Sequence, residues 1–353
     1  MANRKEITLR TLAAELGLSP HTVSKALRGL PGMSERTRAT VAAAAARLGY
    51  RTKEQERALR AERIPIYSAQ PRRFAFVMPR RHFGNIHRQL LDGIQSRLGE
   101  FGHALETVME PEPHEADSVA DGKDWVERAG LPYHDGLFIP PLLEAASEAR
   151  LLALRQPVIL LNYPPPATFV DSVVWDVATA VHQSVRYLVE RGHRRILYIG
   201  DITHHRGFRV RWHAFCEAMR DAGLEAQPEH HMTVSSHTGE AYVEALAAVL
   251  VREAPTALLV GIEHDLGAVY YACRSLGRTI PADYALIGLE HAPSRLLPGL
   301  TRPELLVRDS GARGVDRMLW RISNPSLPYE HIQIQGGFCD GDTVRTSHCP
   351  LDT

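Results

Sequence analysis

The sequence has no long hydrophobic run, no close pair of cysteines and no net charge. Nothing in its 353 residues approaches the roughly 20 consecutive apolar residues needed to cross a bilayer. The N-terminus, Met1-Ala2-Asn3-Arg4-Lys5-Glu6, lacks the apolar core of a secretory signal. We therefore expect neither membrane insertion nor export, and place the protein in the cytoplasm. Cys216, Cys273, Cys339 and Cys349 are scattered without a Cys-x-x-Cys pair, which argues against a disulfide framework or a zinc site and for reduced thiols. With 44% hydrophobic and 23% charged residues, the chain is not depleted in core-forming residues as a disordered one would be. Its length favours a small module joined to a larger one over a single domain.

The zero net charge conceals an asymmetry. Residues 1–63 hold 13 Lys and Arg against 6 Asp and Glu, and the remainder holds 28 against 35. A basic head on an acidic body is the charge distribution of a phosphate-binding module attached to something else.

The first fifty residues read as three helices. Leu9, Leu12, Ala13 and Leu16 share one helical face, with Thr8 in front as an N-cap and Gly17 behind as a stop. Ser19 is a second N-cap, and Pro20 stands at the first position of a helix over about residues 20–27, where its missing N–H costs nothing. Val23, Ala26 and Leu27 would face inward, leaving Pro20, His21, Thr22, Ser24, Lys25 and Arg28 toward solvent or a ligand. Ser34 caps a third helix that runs through Val41 and Leu48 to Gly49. Two short helices about a glycine-containing turn match the helix-turn-helix, whose second helix enters the major groove. Thr8, Ser19, Thr22, Ser34 and Thr37 suit capping and phosphate binding alike.

Here the pattern becomes specific. Ile7-Thr8-Leu9, Leu12-Ala13, Gly17-Leu18-Ser19, Thr22-Val23-Ser24-Lys25-Ala26-Leu27, Ser34-Glu35-Arg36-Thr37-Arg38 and Leu48-Gly49-Tyr50 together resemble the headpiece of the lactose-repressor (LacI/GalR) family. The resemblance implies that Pro20, His21 and Lys25 occupy the positions that set operator preference. His21 and Lys25 can address guanine N7 or O6, whereas Pro20 offers only apolar contact, such as with a thymine methyl. It further implies that residues 51–71 are a hinge helix and linker, with Arg57 and Leu59 matching the family pattern and Leu59 acting as a minor-groove wedge. Thr52-Lys53 replaces the usual Pro-Asn there, and Glu56 stands where Ala is usual. A solvated linker helix is the other reading of this segment.

Beyond residue 72, short apolar runs alternate with amphipathic stretches. Strands are expected at Phe74 to Met78, Leu137 to Ile139, Val158 to Leu161, Ile196 to Ile199, Ala257 to Val260 and Ala285 to Gly288, and helices at residues 85–100, 177–191, 208–222, 239–252 and 265–276. Such alternation builds parallel α/β sheets, with ligands beyond the carboxyl ends of the strands. The fold expected is thus a small all-α headpiece (residues 1–50) and an α/β two-lobed body (72–353). The resemblance implies that this body is periplasmic-binding-protein-like, with lobes of about 72–175 plus 306–337 and 176–305 plus 338–353.

The same resemblance implies effector contacts at strand ends: Arg211, whose guanidinium can fork onto a carboxylate or paired hydroxyls; Glu290, Asn162 and Glu263; and His82, Phe83 and Asn85 in the first strand-to-helix loop. Where the family usually has Asn-Asp for sugar hydroxyls, this chain reads Gly261-Ile262-Glu263-His264, which leaves a sugar, a related metabolite or no effector at all as alternatives. No cofactor is expected, nor catalysis: the pairs His204-His205 and His230-His231 point to opposite sides on extended backbone, and no His-Glu-x-x-His, Gly-x-Ser-x-Gly or phosphate-cradling motif occurs. The function expected is a repressor binding a pseudo-palindromic operator as a homodimer or higher oligomer and answering to a small molecule, with induction and corepression both open. A transporter's solute-binding protein is the alternative; it would share the body but lack the head.

Overall fold

The computed structural model describes residues 7–52, 70–80, 83–112, 124–233, 239–262, 265–289, 297 and 299–346. The chain divides into two compact units, Met1–Ile64 and Pro65–Thr353.

In the first unit, α1 (Leu9–Leu16), α2 (Pro20–Leu27) and α3 (Glu35–Leu48) begin at Thr8, Ser19 and Ser34, each of whose side chains accepts a backbone N–H of the first turn. Helices α1 and α3 end on Gly17 and Gly49 at φ 63° and 72°, a left-handed conformation that glycine adopts without steric cost. Leu12, Ala13, Val23, Ala26, Val41, Ala44 and Ala45 form the core. Leu27 packs only partly buried against it. An ion pair from Arg47 to Glu15 (2.5 Å) ties α3 to α1.

The second unit contains two parallel sheets. Its chain order opens with β1 (Arg73–Met78), α4 (Asn85–Glu100), β2 (Ala104–Met109), a short α5 (Trp125–Arg128), β3 (Gly136–Ile139), α6 (Ala145–Leu152), β4 (Val158–Leu160) and β5 (Asp171–Trp175). There follow α7 (Val177–Glu190), β6 (Ile196–Ile199), α8 (Arg206–Asp221), α9 (Glu240–Glu253), β7 (Ala257–Val260), α10 (Asp265–Ser275) and β8 (Ala285–Gly288). The chain then runs through β9 (Arg302–Pro303), α11 (Val307–Ser323), β10 (His331–Ile334) and β11 (Phe338–Cys339). The larger sheet has the order β10-β5-β4-β3-β1-β2 and the smaller β6-β7-β8, while β9 and β11 pair antiparallel. We call the larger sheet with its helices the first lobe and the smaller the second. The chain passes between them after β5, after β9 and before β11.

All six apolar runs read from the sequence are strands, because parallel strands covered on both faces need no polar alternation. Phe74 and Phe76 of β1 enter one core cluster and Ala75 and Val77 another. Ile196 and Tyr198 are likewise separated from Leu197 and Ile199. Strands β2, β5 and β10 and helix α11 were not expected. β2 and β10 are sheet edges with exposed side chains, and so lack an apolar run. β5 opens with buried Asp171 and Ser172, and α11 buries Arg317 and Arg321. Arg317 and Arg321 both donate to Asp171, at 2.5–3.2 Å, so a buried charge cluster takes the place of the apolar pattern that would have marked these elements.

Candidate nucleic-acid interface and effector cleft

Helix α2 presents Pro20, His21 and Arg28 as exposed residues and Thr22, Ser24 and Lys25 as partly exposed ones, with Val23 and Ala26 turned into the core. Arg28 Nε reaches back to the Ser24 carbonyl at 3.4 Å, a contact at the long limit of a hydrogen bond that leaves most of the guanidinium outward. The hydroxyl candidates form a repeated motif. Thr8, Ser19 and Ser34 each accept from the backbone N–H three residues on and lie 2.8–2.9 Å from the hydroxyl of Thr11, Thr22 and Thr37. Two hydroxyls sharing one hydrogen bond keep one proton between them. Each helix start therefore has one O–H left over, on one or the other hydroxyl, beside the positive end of the helix dipole, where a phosphate could accept it. Capping and phosphate binding are compatible at these positions. Arg57 and Leu59 lie outside the described residues.

In the second unit the described candidates Phe83, Asn85, Asn162 and Arg211 follow the carboxyl ends of β1, β4 and β6. Arg211, on α8, is 4% exposed. It donates to the Gly261 carbonyl at 2.5 Å, while its Nε has no partner. Its pKa is lowered by burial, against the opposing influence of Tyr198 and Tyr163. The Tyr198 hydroxyl is also buried without a partner, and burial pushes its pKa up, as it pushes that of Tyr163 to about 12. A Cβ on Gly261 would lie 2.5 Å from the Tyr198 hydroxyl, so the glycine lets tyrosine and arginine converge. Leaving two buried donors unsatisfied is costly, and both have the chemistry to meet an oxygen-rich ligand.

The remaining candidates divide. Phe83 is 38% exposed and stacks on buried His87 at 5.5 Å, with Arg88 over its ring at 5.9 Å. Asn85 stands at the first position of α4 rather than in the preceding loop, directly after Gly84, the extended N-cap residue. Asn162 lies two residues past the end of β4, and its Oδ1 accepts from the Tyr163 N–H at 2.8 Å; its side chain is turned back onto its own backbone. His82, Glu263 and Glu290 lie outside the described residues. Tyr198 and Tyr163 were missed from sequence: Tyr198 sits within an apolar run that reads as core, and the clue was a hydroxyl-bearing ring two residues before Gly200. The paired histidines have structural partners, His204 on Asp201 at 2.5 Å and His231 accepting from the Tyr198 N–H at 3.1 Å. No helix among the described residues is long and apolar enough to cross a membrane.

A three-helix headpiece with a helix-turn-helix and a two-sheet periplasmic-binding-protein-like body define a class, the DNA-binding transcription regulators with a sensor-type body. Comparison with known proteins agrees. The family model "Periplasmic binding protein-like domain" matches residues 185–344. The HTH-type transcriptional regulator AglR of Rhizobium meliloti (strain 1021) is 29% identical over 339 residues, covering 90% of this chain and 88% of that protein. Catabolite control protein A of Priestia megaterium is 22% identical over 307 residues, covering 85% and 86%. The crystal structure of the lac repressor dimer bound to operator and the anti-inducer ONPF shares the fold, with a TM-score of 0.60 at 21% identity over 96% of this chain and 99% of that one. Over most of its length the chain is thus similar to HTH-type transcriptional regulators, and it shares the fold of the lac repressor. Its relatives are regulators rather than enzymes.

Proposed function

We propose that the protein is a cytoplasmic repressor that binds a pseudo-palindromic operator as a dimer and changes its DNA affinity when a small molecule binds between the two lobes, without chemical turnover. The observation that supports this reading is the exposed face of α2; on this reading His21 and Lys25 contact base edges, while the capped hydroxyls of Thr8, Ser19, Thr22, Ser34 and Thr37, with Ser24 and Arg28, hold phosphates. Arg57 and Leu59 are assigned to the hinge, with Leu59 the wedge in the central step. Symmetry supports the dimer: one short helix reads too few bases for a specific site, and a two-fold pair doubles the contact. For the effector, Arg211 is the central contact, with Phe83, Asn85 and Asn162 around it and His82, Glu263 and Glu290 as further contacts. Donor-rich Arg211 and Tyr198 favour a sugar or related oxygen-rich metabolite, and linkage between the cleft and the operator supplies regulation.

Binding-site selection with the full chain tests this. His21→Ala or Lys25→Ala should relax the consensus at individual base positions, each lost contact costing about 1–3 kcal/mol of discrimination. Thr22→Ala and Thr37→Ala should weaken binding to all sequences alike. An identical consensus from wild type and both base-reading variants would overturn the assignment of these residues.

A further inference from the structure

Arg206 opens α8 in the second lobe, immediately after the loop that leaves β6. Its side chain reaches the first lobe. One terminal nitrogen lies 2.8 and 2.7 Å from the two carboxylate oxygens of Glu148 on α6, and Nε donates to the Tyr163 carbonyl, beyond β4, at 2.5 Å. The Glu148 side chain is 8% exposed and that of Arg206 23%, so this is a largely desolvated, charge-assisted contact rather than a surface ion pair. Tyr163 seals the same junction. Its ring lies 3.8 Å from where a side chain on Gly207 would begin, and its hydroxyl accepts from the Val177 N–H at 3.4 Å, where the chain has just crossed between lobes. One second-lobe side chain thus binds a helix and a strand-end loop of the first lobe, at the carboxyl ends of the strands where ligands enter such folds.

We propose that Arg206 is a positioning residue, clasping Glu148 and the Tyr163 carbonyl to hold the lobes together before any effector arrives. A carboxylate as buried as that of Glu148 is stable only while paired; if the lobes part, water must replace the guanidinium. The lobe angle of the free protein is therefore set by this chain's own side chains, and an effector acts by fitting beneath the clasp or by displacing it. That last step rests on the sensor reading above; the clasp does not.

Hydrogen exchange on the full-length protein tests it. In Arg206→Gln, and in the near-isosteric Glu148→Gln, amides of residues 145–152 in the first lobe and of residues 201–206 in the second should both exchange about tenfold faster, the loss expected of one charge-assisted contact. The double swap Glu148→Arg with Arg206→Glu should restore much of the protection, which a purely local role in either helix would not allow. Faster exchange confined to the mutated lobe, a swap no better than the single variants, or loss of protection spreading into β1 and β7 would each overturn the proposal. Operator titration of the same variants separates the two readings. Changed exchange with unchanged operator affinity upholds the clasp and counts against coupling between cleft and DNA.

Discussion

At the scale of single residues, the body shows how burial retunes a side chain whose identity alone is uninformative. The His231 ring lies edge-on to Trp212 and Phe215, with centroids 5.3 and 5.2 Å away. Burial, helped by the neighbouring His230, pushes its pKa down to about 4, against the pull of Glu253 and Glu229. An unfolded histidine titrates near 6.5, so between about pH 6.5 and 4 the unfolded chain takes up a proton that the native state refuses. Stability is complete above that window and falls as pH drops through it, by about 3 kcal/mol for this residue. His231→Asn keeps an acceptor for the Tyr198 N–H but does not titrate. Its urea midpoint should therefore fall less steeply than that of wild type between pH 7 and 4.5; equal slopes would show that His231 is protonated in the native state.

At the scale of elements, the packing of α4 on α11 rests on two glycines. A Cβ on Gly93 would lie 2.0 Å from the Arg308 carbonyl oxygen, and one on Gly311 would lie 2.4 Å from that of Leu90. Backbone meets backbone here, so no side-chain rotation relieves an added methyl. Gly311→Ala should lower stability by about 3 kcal/mol, at the upper end of what overpacking costs. Gly99→Ala, in the same α4 but with nothing within 4 Å, should leave the melting temperature unchanged or raise it, since alanine removes backbone freedom from the unfolded chain. Thermal melts of the two variants decide the point. This contact also explains why α11 was illegible in the sequence. Gly311 and Gly314, needed for close approach, read as helix breakers, and buried Arg317 and Arg321 read as a solvent face until Asp171 is seen between them.

At the scale of the whole molecule, a chain with no net charge places its positive surplus in the segment that reads DNA. Operator binding should therefore weaken with salt although the protein as a whole is neutral, with log K falling by about 0.9 per phosphate neutralised for each unit of log salt. Arg28→Gln should reduce that slope by about one per headpiece while leaving the preferred sequence intact. Fluorescence titration from 50 to 200 mM salt, on specific and random duplexes, measures both; an unchanged slope would remove Arg28 from the phosphate contacts.

The sequence by itself determined whatever depends on near neighbours in the chain. The three capped helices of the head, the six apolar strands and the glycine stops each follow from hydrogen bonds and periodicities that span a few residues. The exposed face of α2 was legible for the same reason, because a core stripe of Val23 and Ala26 assigns the opposite face at once. Only the tertiary structure decided what joins residues far apart: the charge cluster around Asp171, the burial of Arg211 beside Tyr198 and Gly261, and the reach of Arg206 to Glu148. A buried charge is stable only through its partner, and no local pattern announces a partner that lies dozens of residues away along the chain.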